Sequence, residues 1–182
     1  MKKMLFLSAV IISMPLLAEE DIGGGDISGS TSVTVNGGTI HFLSAVVNAA
    51  CGVDANSINQ TIQLGQFRLG DFNKKGDETS HIPFSIKLHS CDPEVASTAS
   101  ITFTGNSDGD NFLLQGAGAA KNIALKITDS KNNPVIPYKP STEINLIDGQ
   151  NELNYSASLV STSDEVSAGS ANVVTNFLVT YS

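Results

Sequence analysis

The sequence predicts an all-β protein built as a two-sheet sandwich, and three observations support this fold class. Apolar residues alternate with polar residues in five short runs, which is the period of a strand with one buried face. Turn-forming residues bound each run, and no amphipathic segment of ten or more residues has helical periodicity. The five runs are residues 82–88, 101–103, 123–127, 153–159 and 177–181.

The runs are separated by clusters of Asn, Asp, Gly and Pro, at residues 106–109, 131–134 and 148–149. Many short strands at spacings of about 8–12 residues are typical of a sandwich with one core. An apolar content of 41% over 182 residues is enough to fill that core. The glycine-rich segment 116–122 is the one place where the sequence allows a single turn of helix.

The N-terminus has the layout of a secretory signal peptide. Lys2 and Lys3 form a short positive region, residues 4–17 are mostly apolar, and Ala18 precedes an acidic stretch. The apolar run is shorter than the ~20 residues that cross a bilayer. We therefore expect a signal peptide at 1–18, a flexible leader and N-terminal strand at 19–50, and a β-sandwich domain at 51–182.

The mature chain is acidic. Removal of the two lysines in the signal peptide changes the formal net charge from −8 to −10. Such a chain repels nucleic acid and anionic lipid, so neither is an expected partner.

Cys51 and Cys91 are the two cysteines of the chain. Export to an oxidising compartment predicts a disulfide between them, and closing a loop of this length stabilises a fold by about 4 kcal/mol in the chain-entropy model. The alternative is a metal-binding or redox pair. The sequence has neither a C-x-x-C motif nor a histidine pair at ligand spacing, so we predict no metal and no cofactor.

Residues 33–47, VTVNGGTIHFLSAVV, have strand character but follow a Gly/Ser-rich acidic leader at 19–32 that is too polar to order itself. In an extended conformation Ile40, Phe42 and Val46 share one face, and Gly38 leaves a gap in that row. A strand of this kind either packs on its own domain or adds to the sheet edge of another chain.

Four features of the chain together resemble the type 1 fimbrial major pilins of bacterial chaperone–usher pili. They are the run from Val35 to Arg68, the second cysteine within LHSCD, the Gly/Ala-rich segment before Asn122, and an alternating C-terminal strand with Tyr181 as the penultimate residue. The resemblance covers nearly all of the mature chain. The acidic leader is the departure, since it is longer than is usual in that family.

The resemblance implies an incomplete immunoglobulin-like β-sandwich that lacks its last strand and carries an N-terminal donor-strand extension. In that family a periplasmic chaperone fills the vacant groove, and at the outer-membrane usher the extension of the next subunit replaces it. Identical or related subunits thus form a head-to-tail polymer on the cell surface. Carried onto this chain, the donor segment is 33–47 and the chaperone-recognised strand is 173–182. The implied donor residues are Val35, Gly38, Ile40, Phe42 and Val46, and the implied chaperone-recognised residues are Val173, Phe177, Val179 and Tyr181.

The sequence predicts no catalytic site. His41, His81 and His89 are scattered along the chain, and no G-x-S-x-G motif occurs. Residues 108–112 begin like a calcium-binding loop, but Phe112 stands where an oxygen ligand is needed. The sequence therefore favours a rod subunit that is not an enzyme.

Two alternatives remain open at the level of sequence. One is a minor pilin or tip adaptor of the same pilus. The other is a monomeric periplasmic β-sandwich binding protein, which would fold its own N-terminal strand into its domain.

Overall fold

The computed structural model describes Thr34, Val35, residues 37–43, Val46 and residues 48–182. The predicted signal peptide at 1–18 and acidic leader at 19–32 lie outside these described residues. The chain divides into two units, Met1–Ser44 and Ala45–Ser182, and each is described by itself. Within the described part of the chain, no helix combines the length and the apolar character needed to cross a membrane.

The second unit is a sandwich of two β-sheets, which confirms the predicted all-β fold. Its described residues form strands β1 (Gly52–Val53), β2 (Ile82–Cys91), β3 (Thr98–Gly105), β4 (Ser107–Asp108), β5 (Asn111–Leu113), β6 (Ile123–Asp129), β7 (Ile144–Asn145), β8 (Gly149–Ser161) and β9 (Thr175–Tyr181). One sheet has the order β1-β2-β8-β6-β5-β4, and the other has the order β7-β3-β9. All strand pairs of these two sheets are antiparallel.

Each of the five predicted runs lies within a strand, namely β2, β3, β6, β8 and β9 in chain order. The alternation appears as alternating burial: in β2, Ile86 and Leu88 are buried whereas Lys87 and His89 are exposed. The predicted turn at 106–109 overlaps a short hairpin, because Ser107 pairs with Phe112 and Asp108 pairs with Asn111.

The prediction of a helical turn at 116–122 is wrong. This segment is held by backbone hydrogen bonds to a distant loop, from the Ala120 N–H to the Ser170 carbonyl at 2.9 Å and from the Ser170 N–H to the Gly118 carbonyl at 3.0 Å. A Cβ at Gly169 would lie 2.3 Å from the Ala120 nitrogen, so this close approach requires glycine. The described residues contain two short 3-10 helices elsewhere, Ala55–Ser57 and Leu69–Asp71.

The core lies between the sheets and is filled by their inward side chains. Its aromatic centre consists of Phe84, Phe103 and Tyr155, with ring centroids 5.2–6.1 Å apart, a spacing at which aromatic pairs attract one another. The Tyr155 hydroxyl and the Ser141 Oγ are hydrogen-bonded at 3.0 Å, and burial raises the pKa of Tyr155. The hydroxyl of Tyr155 is thus hydrogen-bonded to a neutral partner.

Cys51 and Cys91 form the predicted disulfide, with their Cα atoms 4.1 Å apart. Cys51 immediately precedes β1 and Cys91 ends β2, so the bond ties together the two strands that pair through Gly52–His89 and Val53–Leu88. Both cysteines are buried, and the bond therefore lies within the core.

Candidate functional site

The two sheets together have four edges, and one of them differs from the others. Among the described residues, the edge strands β1, β4 and β7 are two residues long, whereas β9 is seven residues long. One side of β9 pairs with β3 along its whole length, from Tyr181 opposite Ala99 to Thr175 opposite Gly105. No strand pairs with its other side within the described part of the chain.

On the unpaired side of β9, the backbone N–H and C=O groups of alternate residues are available for hydrogen bonds. Just beyond the strand, Ser182 and Thr98 exchange two backbone hydrogen bonds, of 3.0 and 2.9 Å. In an antiparallel ladder, residues bonded to one neighbour alternate with residues whose N–H and C=O point the other way. The even-numbered residues of β9 therefore bond to β3, and the backbone groups of Phe177 and Val179 point away from it.

The edge of β9 also lacks the features that usually protect such edges. Residues 173–182 include no proline and no charged side chain. By contrast, β2 continues past the short β1 with Pro83 in its sequence, and the Gln60 Nε2 donates a hydrogen bond of 2.8 Å to the Ser85 carbonyl. Proline and side-chain caps keep an edge from pairing with another chain, so β9 is the sheet edge suited to strand addition.

The core beneath β9 is only half covered. The inward residues of this strand and of its approach are half-buried, whereas the inward residues at the centres of β6 and β8 are buried. These half-buried side chains still pack against the core, and they belong to Val173, Phe177, Val179 and Tyr181. The four residues predicted to be grasped by a chaperone thus share one face, with Val173 lying two residues before β9.

The irregular segment 58–68 forms a second half-buried wall of the domain, which sequence analysis did not identify. Leu64 and Phe67 are half-buried and pack against the core. A cavity of about 470 Å³ lies between residues 65–68 of this segment, with the following Leu69, and residues 167–172, which lead into β9. Its floor includes the core residues Phe72, Ile123 and Leu159. A sequence signal was available, since apolar Ile62 and Leu64 alternate with Thr61 and Gln63.

Hydrogen bonds fix the end of the chain at the rim of the domain. The Tyr181 hydroxyl donates a hydrogen bond of 3.1 Å to the Cys51 carbonyl, and burial raises the pKa of Tyr181. The Ser182 carbonyl accepts bonds from the Ser97 and Thr98 N–H groups, each of 2.9 Å. The C-terminal residues are therefore held in a defined position beside the disulfide.

The predicted apolar donor residues have largely exposed side chains. Exposure is 79% for Val35, 77% for Ile40, 88% for Phe42 and 101% for Val46. Gly38 has a φ of +105°, which glycine adopts without strain. The described residues of 33–47 have no regular secondary structure.

The remaining polar residues that the sequence analysis considered occupy separate places. His81 contacts Glu78, with Nε2 3.4 Å from Oε2, His89 lies within 3.2 Å of the Ser90 Oγ, and His41 is exposed. Residues 108–111 form the β4–β5 hairpin. In the described part of the chain, no group of three or more His, Cys, Asp or Glu residues is arranged to hold a metal ion.

Comparison with known proteins gives consistent matches. The sequence model of the family described as "Fimbrial protein" matches residues 40–182. The type-1 fimbrial protein A chain of Salmonella typhi is 35% identical over 183 residues, which cover 96% of this chain and 97% of that protein. The P pilus rod subunit PapA has a similar crystal structure, with a TM-score of 0.63 and 25% identity over 74% of this chain and 100% of PapA.

A chain in a structure of a chaperone–usher pilus, which was described for the molecular basis of rod uncoiling, has the same fold. Its TM-score is 0.67 and its identity 24%, and the match covers 84% of this chain and 100% of that chain.

Proposed function

This chain belongs to the fimbrial protein family and is a structural subunit of a bacterial surface pilus, and we propose that it polymerises by donor-strand exchange. Residues 33–47 of one copy add to the unpaired edge of β9 in the next copy. The pilus rod is then a head-to-tail chain in which each subunit completes the sandwich of its neighbour.

The observation that carries this proposal is the edge of β9. It is a seven-residue strand edge at which every second residue points its backbone groups away from β3, and it combines this with half-buried inward side chains and no protective proline or charge. An added strand would supply main-chain hydrogen bonds, each worth about 0.5–1.5 kcal/mol, and would cover the core. The edge therefore fits strand addition better than a small-molecule site.

The chemistry of the donor segment complements this edge. Ile40, Phe42 and Val46 are exposed in the single chain, and they would share one face once the segment is extended as an added strand. Burying each of them contributes about 1.5–3 kcal/mol. Gly38 continues the row with no side chain, which suits a place where the groove is shallow. Val35 extends the apolar character towards the N-terminus of the segment.

A periplasmic chaperone and an outer-membrane usher complete the proposed pathway. Before assembly the uncovered edge of β9 would pair with other chains and aggregate. A chaperone that grasps Val173, Phe177, Val179 and Tyr181 prevents this, and the usher then exchanges the chaperone for the next subunit. The similar chaperone–usher pilus supports this route.

We assign the chain a structural role without an active site or cofactor, in keeping with its family. The signal peptide at 1–18, the leader and donor region at 19–50 and the sandwich at 51–182 are its proposed functional divisions. The signal peptide directs the chain to the periplasm and is then removed, and the disulfide forms there.

The decisive experiment changes the apolar face of the donor. Ile40→Asp or Phe42→Asp should abolish fibres while the chaperone-bound monomer stays folded, because a charge would have to be buried against the acceptor core. Val95→Asp is the matched control, since it makes the same apolar-to-charged change at an exposed position between β2 and β3. Electron microscopy of fibres and co-purification with the chaperone give the two readouts. Full-length fibres from the donor variants would disprove the donor assignment.

Two further measurements separate the alternatives. The number of copies in each fibre distinguishes a rod subunit from a minor pilin or tip adaptor. Gel filtration of the refolded mature chain, beside a variant without residues 19–47, distinguishes a polymerising subunit from a monomeric binding protein. A compact monomer in both samples would favour the binding protein.

A further inference from the structure

The outer face of β9 is apolar at two positions, although it lies on the solvent side of its sheet. Val174 precedes the strand and is 64% exposed, and Leu178 lies within it and is 59% exposed. The intervening Asn176 and the following Thr180 are polar. On neighbouring β3, Thr102 and Thr104 lie opposite Leu178 and Asn176. Val174 and Leu178 therefore form an apolar pair at the unpaired edge of an otherwise polar face.

The donor segment has an apolar residue on its second face as well. Leu43 is 95% exposed and has the opposite parity from Ile40 and Phe42. If those two side chains point into the acceptor core, Leu43 points to the outer face of the acceptor sheet. The polar residues Thr39 and His41 share this outer face of the donor, and Val35 lies on it four residues before Thr39.

The possible registers limit where Leu43 can lie. All strand pairs of both sheets are antiparallel within the described residues, so we take the added strand to be antiparallel to β9. Three registers place both Ile40 and Phe42 opposite inward residues of β9. They put Phe42 opposite Thr175, Phe177 or Val179 in turn.

In these three registers Leu43 lies opposite Val174, Asn176 or Leu178, respectively. The first and third give a direct cross-strand pair with an apolar residue. The middle register puts Val174 and Leu178 at the two diagonal positions, about 7–8 Å away and within reach of a leucine side chain. Every allowed register thus brings Leu43 to the same apolar pair.

We propose that Leu43 of each subunit is a second anchor of the donor strand, packing on Val174 and Leu178 on the outer face of the next subunit. This inference rests on the proposed strand exchange and assigns a role to the donor face that points away from the core. The contact covers apolar side chains that the single chain leaves exposed, and it strengthens an assembled junction.

The test is the rate at which purified fibres of the full mature chain release subunits in denaturant. Leu43→Ser should assemble and then dissociate faster, by up to about fivefold, which is the upper end expected for an apolar cross-strand pair. Ile147→Ser, which truncates an exposed apolar side chain beyond β7 on the other side of β3 from β9, is the matched control and should dissociate at the wild-type rate. Leu43→Met should restore slow release.

A reciprocal variant shows whether the partner is correct. In a chain carrying Val174→Ser and Leu178→Ser, adding Leu43→Ser should accelerate release no further, because its partners are already gone. A wild-type release rate for Leu43→Ser, or an equal acceleration in the reciprocal background, would overturn this inference alone. Fibres formed by Phe42→Asp would instead overturn the strand exchange on which it rests.

Discussion

At the scale of single residues, Asp129 shows how one carboxylate organises the turn after β6. Its oxygens accept hydrogen bonds from the Lys131 N–H at 2.9 Å, from the Asn133 N–H at 2.9 Å and Nδ2 at 3.0 Å, and from the Thr142 Oγ1 at 2.7 Å. Burial alone would raise the pKa of Asp129, but the hydrogen bonds from Asn133, Thr142 and Lys131 outweigh burial and lower it. The turn therefore depends on the ionised carboxylate.

Replacing this carboxylate should destabilise the domain in a pH-dependent way. A folded-state pKa below the unfolded value of about 3.9 means that the stabilisation is complete above that pH and is lost as the pH falls through the folded pKa. Asp129→Asn should lower the free energy of unfolding by about 1–3 kcal/mol at pH 7, and the difference from wild type should shrink below pH 4.

Denaturant unfolding can be measured in a chain whose donor segment 33–47 is appended after Ser182 through a flexible linker. Asp108→Asn, in the exposed β4–β5 hairpin, is the control and should change the free energy of unfolding little. An equal loss for Asp129→Asn at pH 7 and pH 3 would contradict the assignment.

At the scale of secondary structure, sequence patterns predicted those strands whose burial alternates. In β2 and β9 every second side chain faces the core, and a local period of two records this directly. The segment 116–122 was mispredicted because its conformation is set by bonds to Ser170, far away in sequence. The segment 58–68 was missed although Ile62 and Leu64 alternate with polar residues, because this run is short and the segment is tied to β2 by the Gln60 side chain and not by strand pairing.

The vacancy beside β9 could not be predicted from periodicity at all. A strand that covers a completed core and a strand that covers an open one have the same alternation, so only the family resemblance pointed to a missing neighbour. The structure adds which backbone groups face the vacancy, since Ser182 and Thr98 bond to each other in both directions.

This alternation predicts that a proline can block the edge without disturbing β3. The N–H of Val179 points away from β3, so Val179→Pro removes a donor from the vacant side only and places a ring against the incoming strand. Each lost hydrogen bond costs about 0.5–1.5 kcal/mol, and the ring adds steric exclusion. We expect loss of fibres and of the chaperone complex, measured by electron microscopy and co-purification.

Val179→Thr keeps the N–H and nearly the same shape, and it should assemble. Both variants keep the pairing of β9 with β3. A difference in assembly between Val179→Pro and Val179→Thr therefore reports on the strand-addition step alone. Normal fibres from Val179→Pro would show that the donor does not pair with this edge.

At the scale of the whole molecule, we expect the folding stability of a subunit to depend on its assembly. The half-buried face of β9 and the wall at 58–68 leave the core uncovered on one side, so anything that binds there selectively in the folded state stabilises folding by mass action.

A chain that begins at residue 48 should therefore unfold at a low temperature when alone. Adding a synthetic peptide of residues 33–47 should raise its Tm, with a gain of about 2.7 kcal/mol when the free peptide is at 100 times its Kd. A peptide carrying Phe42→Asp has the same length and backbone but lacks the apolar face, and it should leave the Tm unchanged. Calorimetry at a series of peptide concentrations measures both effects, and a Tm that is high from the outset and independent of the peptide would mean that the sandwich is already complete.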